Sequence, residues 1–138
     1  MDQNLQILGL ARKASLLAVG LDDTARAARI KNVSLIISAS DASDGAKRRA
    51  SGEAKYCGAV YAEVPYLMEE LGTMTGRGSP GTAAFLEPGL AARFLTGLAA
   101  EFPEKYREDA EVLKQRASDA KKQNKKAKHS TGNWRAAI

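Results

Sequence analysis

Three groups of residues in this 138-residue chain have the types and spacing for chemistry. The first is Gly20-Leu21-Asp22-Asp23-Thr24-Ala25-Arg26, a glycine followed by two acids and, three positions later, a guanidinium. On a helix, positions 22, 23 and 26 gather at one end and roughly one face, where free amides can meet phosphate and side chains can meet base edges. The second is Gly76-Arg77-Gly78-Ser79-Pro80-Gly81, which fits the Gly-x-Gly-x-x-Gly pattern of dinucleotide-binding loops letter for letter. That chemistry requires a strand before the loop and a helix after it, so that pyrophosphate meets a helix N-terminus. Here the expected order is helix, loop, strand, and Pro80 removes a backbone donor, so nucleotide binding is disfavoured. The third group is cationic: Lys47-Arg48-Arg49 and the distal lysines Lys121, Lys122, Lys125, Lys126 and Lys128, suited to phosphate contacts without sequence selectivity.

Other chemistries lack their parts. Sequence-adjacent acids, Asp22-Asp23 and Glu69-Glu70, point about 100° apart on a helix and cannot share one substrate as a catalytic dyad. Ser15, Ser38, Ser40 and Ser43 have no histidine partner, because the one histidine, His129, lies in the distal tail. A single cysteine, Cys57, makes neither an internal disulfide nor a multi-cysteine zinc cage. No catalytic residue, metal or cofactor is therefore expected. The net charge of +5 is unevenly spread: residues 114–138 carry eight basic residues against one acid, Asp119, leaving residues 1–113 at −2. Any selective recognition by the folded part must come from a few placed side chains, with the tail adding general attraction to polyanions.

The elements that position these groups follow from periodicity. Leu5, Leu8, Leu10 and Ala11 predict a helix over 4–14, and Leu16 to Val19 a short strand. Gly20 turns the chain into a second helix reaching about Ile30, with Asp22, Asp23 and Thr24 as acids and capping groups at its start. Val33 to Ser38 reads as a strand buried on both faces, and Ser40 to Asp44 as a polar turn opening the basic helix. Ala59 to Val64 is the next strand. Pro65 suits the first turn of a helix from Tyr66 to about Met74, with Leu67, Met68 and Leu71 on its buried side. Thr82 to Leu86 is a further strand, followed by a helix striped by Leu90, Ala91, Phe94, Leu95 and Leu98. This alternation predicts an α/β fold, a single-domain three-layer α-β-α sandwich around about four strands. The domain is expected over 1–100, an exposed and partly helical extension without an apolar face over 101–122, and a basic disordered tail over 123–138.

In order of appearance, Leu8-Gly9-Leu10-Ala11-Arg12-Lys13-Ala14, Gly20 with its charged helix, Leu35-Ile36-Ile37-Ser38-Ala39-Ser40-Asp41-Ala42-Ser43, and Leu71-Gly72 with the glycine-rich loop resemble one family. It is the L-seven-Ae and L-thirty-e superfamily of ribosomal proteins, in particular its small bacterial YlxQ-like branch. The resemblance spans about residues 4–99 and implies an α-β-α sandwich that binds RNA kink-turns, bent stems built around tandem sheared G·A pairs. The family's motif of glycine, one residue, asparagine, glutamate and a later lysine falls on Gly20, Asp22, Asp23 and Arg26. Asp22 thus stands in the place of an amide, Asp23 is one methylene shorter than glutamate, and Ser15 stands where the bacterial branch usually has glycine. The resemblance further implies that the loop of Gly76, Arg77, Gly78, Ser79, Gly81 and Thr82 cups a flipped-out nucleotide, with Asp41 flanking the same face. What it implies of function is an RNA-binding protein of ribosome assembly or translation; with no workable catalytic constellation, no apolar stretch of membrane-spanning length and no basic signal-peptide head at Met1-Asp2-Gln3-Asn4, the protein is expected to be non-catalytic, cytoplasmic and monomeric, with no membrane association. Two alternatives stand beside it: a ribosome-associated protein-interaction adaptor that has kept the fold but lost selective RNA affinity, and a substrate-binding domain related to those of RNA methyltransferases.

Overall fold

The computed structural model describes residues 3–137, with side chains described over 3–122. The elements run α1 (Gln3–Lys13), β1 (Leu17–Val19), α2 (Leu21–Ile30), β2 (Leu35–Ser38), α3 (Asp44–Cys57), β3 (Val60–Glu63), α4 (Met68–Thr75), β4 (Thr82–Phe85), α5 (Pro88–Glu101) and α6 (Pro103–Ala137). The strands form one mixed sheet in the order β1-β4-β2-β3. β4 pairs antiparallel with both β1 and β2, while β2 and β3 run parallel.

Strand periodicity sorts the core into two layers. Leu35, Ile37, Ala83 and Phe85 face α1, α4, α5 and α6, among Leu8, Leu71, Phe94, Leu95 and Leu98. Ile36 and Ala84 face the other way, toward Ala27 of α2 and Ala50 and Ala54 of α3. Small residues on these two helices let their backbones approach the sheet closely. On the larger side, Phe85 and Phe94 pack with ring centroids 5.2 Å apart. Each large side chain fully buried here contributes about 1.5–3 kcal/mol. The expected α-β-α sandwich of four strands is the observed fold.

Capping chemistry sets several boundaries. Ser43 Oγ accepts from the Ala46 amide and opens α3, which Gly58 closes in the left-handed conformation. The Glu87 carboxylate accepts from the amides of Gly89 and Leu90 and opens α5 with Pro88 in its first turn. α4 begins two residues later than Pro65 suggests, because Asp41 Oδ1 takes the Met68 amide at 2.8 Å and Glu70 reaches back to the Leu67 amide at 3.0 Å. Tyr66 is consequently a buried residue of the preceding segment, and Leu67, expected on the buried side, is 46% exposed.

The core continues past residue 100. Tyr106, Ala110 and Leu113 recur at i, i+4 and i+7 and are buried against α5 and β3, whereas Val112 is exposed. The expected extension without an apolar face therefore has one, supplied by a tyrosine and an alanine rather than by aliphatic side chains alone. The Tyr106 hydroxyl donates to the Glu63 carbonyl at 2.6 Å, and Arg116 donates to the Gly58 carbonyl at 2.9 Å. β3 is an edge strand whose amides at Val60 and Val64 already serve β2, so Glu63 turns its carbonyl outward and α6 satisfies it. The stretch 123–138, expected to be disordered, is carried as the continuation of α6 as far as Ala137; its side chains, and with them Lys125, Lys126 and Lys128, lie outside those described. Among the described residues no helix is long and apolar enough to cross a membrane.

Two tests follow from these contacts. Ser15, at φ 59°, is a non-glycine residue in the left-handed region; relief of ~1–2 kcal/mol of strain outweighs the entropy that glycine loses, so Ser15→Gly is expected to raise the unfolding free energy by up to about 1 kcal/mol, seen as a higher urea midpoint. Burial pushes the Tyr106 phenol from 10.0 up to about 12. The folded state thus holds that proton more tightly than the unfolded chain, and the contribution of Tyr106 is intact below pH 10 and lost as pH rises toward 12. Tyr106→Phe should cost about 1 kcal/mol at pH 7, and denaturation titrations should show the gap to the unmodified protein closing above pH 10.

Candidate functional site

The residues singled out by sequence meet at one end of the sheet. Gly20 follows β1 at φ 96°, a torsion that side chains disfavour, and lets the chain enter α2 in a single step. Its amide donates to the Thr82 carbonyl at 2.8 Å, tying the start of α2 to the start of β4. The Ala39 amide donates to the Gly81 carbonyl at 2.9 Å, tying the end of β2 to the same loop. Three segments are thereby fixed side by side: the Gly20 turn, residues 39–43, and the loop 76–81.

That loop is shaped by α4 beneath it. Gly76 closes α4 in the left-handed conformation at φ 74°, after which the chain folds back over the helix. A Cβ on Gly72 would collide with the carbonyl oxygens of Arg77 and Gly78, so the loop rests directly on α4 backbone. A Cβ on Gly81 would lie 3.2 Å from that of Ala42, and the loop is equally tight at its far end. The observed order of helix, loop and strand disposes of the dinucleotide-binding pattern, since no helix N-terminus follows Gly81.

Side-chain charge is organised around the first turn of α2. Its N-cap is Gly20, with no side chain capping it, so Asp22, Asp23 and Thr24 do not play the capping role expected of them. Instead, the Asp23 carboxylate is shared between Arg26 at 3.6 Å and Arg77 of the loop at 3.3 Å. Asp22, with its side chain 89% exposed, lies 3.8 Å from Arg49 of α3. Arg26, Arg49 and Arg77 thus converge from three elements on two acids. At these distances and exposures each pair contributes at most about 1 kcal/mol, so the guanidinium groups exchange partners readily.

Other candidates are engaged elsewhere. Asp41 caps α4 and is spent on backbone rather than presented to a ligand. Lys47, expected as a free phosphate contact, donates to Glu63 Oε1 at 2.8 Å and to the Ser40 carbonyl at 2.9 Å. The hydrogen bond between them raises the Lys47 ammonium above its usual range and holds the Glu63 carboxyl below its own. Arg48, Lys121 and Lys122 are exposed, and Ser79 sits on the exposed part of the loop.

The floor of the site holds features that patterning does not reveal. Thr24 and Ser38 are fully buried, and their hydroxyls have no hydrogen-bond partner. Ser38 stands opposite Thr82 in the β2–β4 register, and Thr24 lies on the first turn of α2. The only sequence signal was a polar residue ending the apolar run of β2.

Among the described residues no cluster of three or more His, Cys, Asp or Glu side chains has the arrangement to hold a metal ion. The arrangement offers acceptors on two carboxylates, donors on three guanidinium groups and uncapped amides of α2. It is suited to a ligand carrying both phosphates and hydrogen-bonding edges.

Gly72→Ala tests whether the loop is held as described. The collision should lower stability by about 1–3 kcal/mol and speed hydrogen exchange of the Ala39 amide, which depends on Gly81; unchanged exchange there would show that the loop is not seated on α4.

Neither a scan against protein-family models nor a search of curated proteins finds a match. Solved structures do resemble the chain. A protein of unknown function from Bacillus halodurans superposes with a TM-score of 0.63 at 22% identity, covering 70% of this chain and 97% of that one. The Giardia lamblia 15.5kD RNA binding protein superposes with a TM-score of 0.55 at 16% identity, covering 70% of this chain and 84% of that one. At these identities the likeness is one of fold.

Proposed function

We propose that this protein is a non-catalytic RNA-binding protein of the cytoplasm, acting in ribosome assembly or translation. Its ligand on this reading is a kink-turn or a similarly bent stem. The observation that carries the proposal is the shared carboxylate of Asp23, which joins α2 to the glycine-rich loop through Arg26 and Arg77. The fold shared with the Giardia RNA binding protein supports the same ligand class.

The chemistry follows from what each group can donate or accept. Carboxylates only accept, so Asp22 and Asp23 would meet exocyclic amines or the guanine imino group on base edges. Arg26, Arg49 and Arg77 would leave those acids for phosphate oxygens, which they engage in bidentate fashion. The uncapped amides of α2 add donors directed at the same strand. Selectivity on this scheme comes from the edges read by the aspartates, and affinity from the arginines, Arg48 and the distal lysines.

The adaptor reading draws on the same ion pairs, which neutralise both acids without any ligand. One experiment separates the two. Affinity is measured in moderate salt for a standard kink-turn and for the same stem with its G·A pairs changed to Watson–Crick pairs. A preference of tenfold or more for the kink-turn, about 1.4 kcal/mol, is expected, and Arg26→Ala and Arg77→Ala should each erode it. Equal affinity for the two stems would overturn selective recognition and favour the adaptor.

A further inference from the structure

The two edges of the sheet are finished differently. α6 seals β3, whereas β1 borders a cavity of about 270 Å³ between the C-terminal end of α1 and the outer flank of α2. Ala18 of β1 and Leu86, both partly buried on the α2 side of the sheet, make an apolar floor, while the neighbouring Leu17 turns its side chain into the main core. Arg12, Arg26 and Lys31 make a cationic rim, and the strained Ser15 shapes its mouth.

Two observations mark this cavity as a ligand site rather than a surface dent. Some cations of the domain are matched, Arg29 with Glu53, Lys47 with Glu63 and Arg116 with the Gly58 carbonyl, and others, such as Arg48 and Lys55, stand singly in solvent. Among the described residues neither Arg12 nor Lys31 has an ion pair or a side-chain hydrogen bond, although both line the same cavity. The one acid lining it, Asp23, is already shared by Arg26 and Arg77. The rim therefore carries uncompensated positive charge. Ile30, also lining the cavity, is 69% exposed, an aliphatic wall left in water. The volume falls just below the roughly 300–1,000 Å³ of pockets for drug-sized ligands, which suits a single planar base and excludes a duplex.

We propose that this cavity is a second nucleotide subsite, taking one unstacked nucleotide of the bound RNA with its base against Ala18, Leu86 and Ile30 and its phosphate on Arg12 and Lys31. Apolar surface receives the face of any base, and the two cations supply counterion release. The inference rests on the RNA reading of the α2 face, since Asp23 and Arg26 border both sites. An RNA strand read at the first turn of α2 continues along that helix into the cavity.

Fluorescence anisotropy with a labelled kink-turn stem, titrated over a range of salt, tests the subsite. Arg12, Ile30 and Lys31 are exposed, so their substitution leaves the core intact. The Arg12→Ala/Lys31→Ala double variant is expected to bind about tenfold more weakly, with the slope of log affinity against log salt reduced by about one to two. Ile30→Ser should weaken binding a few-fold with the slope unchanged. Lys55→Ala, a remote cation on α3, serves as control and should stay within about twofold of the unmodified protein. A double variant indistinguishable from the Lys55 control overturns the subsite alone. No binding by the unmodified protein overturns the RNA reading of the α2 face and the subsite with it.

Discussion

One hydrogen bond, from the amide of Gly20 to the carbonyl of Thr82, holds the candidate interface together. It extends the β1–β4 ladder by one step and simultaneously fixes where α2 begins and where the loop ends. The constraint is torsional: a Cβ on Gly20 would find nothing within 4 Å, yet the positive φ of 96° would be strained with any side chain. Space is available and conformation is not. The position of Asp22, Asp23 and Arg26 relative to Arg77 is inherited from that single backbone geometry.

The acids at this face change meaning once their partners are seen. Read alone, two aspartates at a face proposed to meet phosphate look like a contradiction. In the folded chain they act as a template, drawing guanidinium groups from α2, α3 and the loop to one place. Because exposed pairs of this kind are weak, the template sets where the arginines wait without committing them. A net charge of −2 over residues 1–113 is therefore compatible with a local surface ready to receive an anion.

The architecture was largely legible because strand alternation and helical spacing report burial directly: Leu35, Ile36 and Ile37 are each fully buried, as an unbroken apolar run requires. The start of α4 was not, since it depends on Asp41, some twenty-seven positions earlier, taking the Met68 amide. The apolar face of α6 was present in the sequence at Tyr106, Ala110 and Leu113, but an amphipathic tyrosine among charges is a weak signal until its hydroxyl finds Glu63. At the site, Gly20, Asp22, Asp23 and Arg26 and the loop could be named from their order along the chain. Their pairing could not, because Arg77 meets Asp23 across more than fifty residues, and neither could the diversion of Lys47 and Asp41 to structural partners. The orphaned hydroxyls of Thr24 and Ser38 are a property of packing alone.

The Tyr106 staple on β3 also bears on how the chain is made. Strands β1 to β4 are complete by Phe85, yet the outward carbonyl of Glu63 gains its partner only when Tyr106 is available. In a chain that folds as it is made, the β3 edge would stay open from Phe85 until Tyr106 follows, about a second or more at ~5–20 residues per second. α6 is in this sense the closing step of assembly, and the interval before it docks is the moment when a nascent chain is most able to pair with the wrong neighbour.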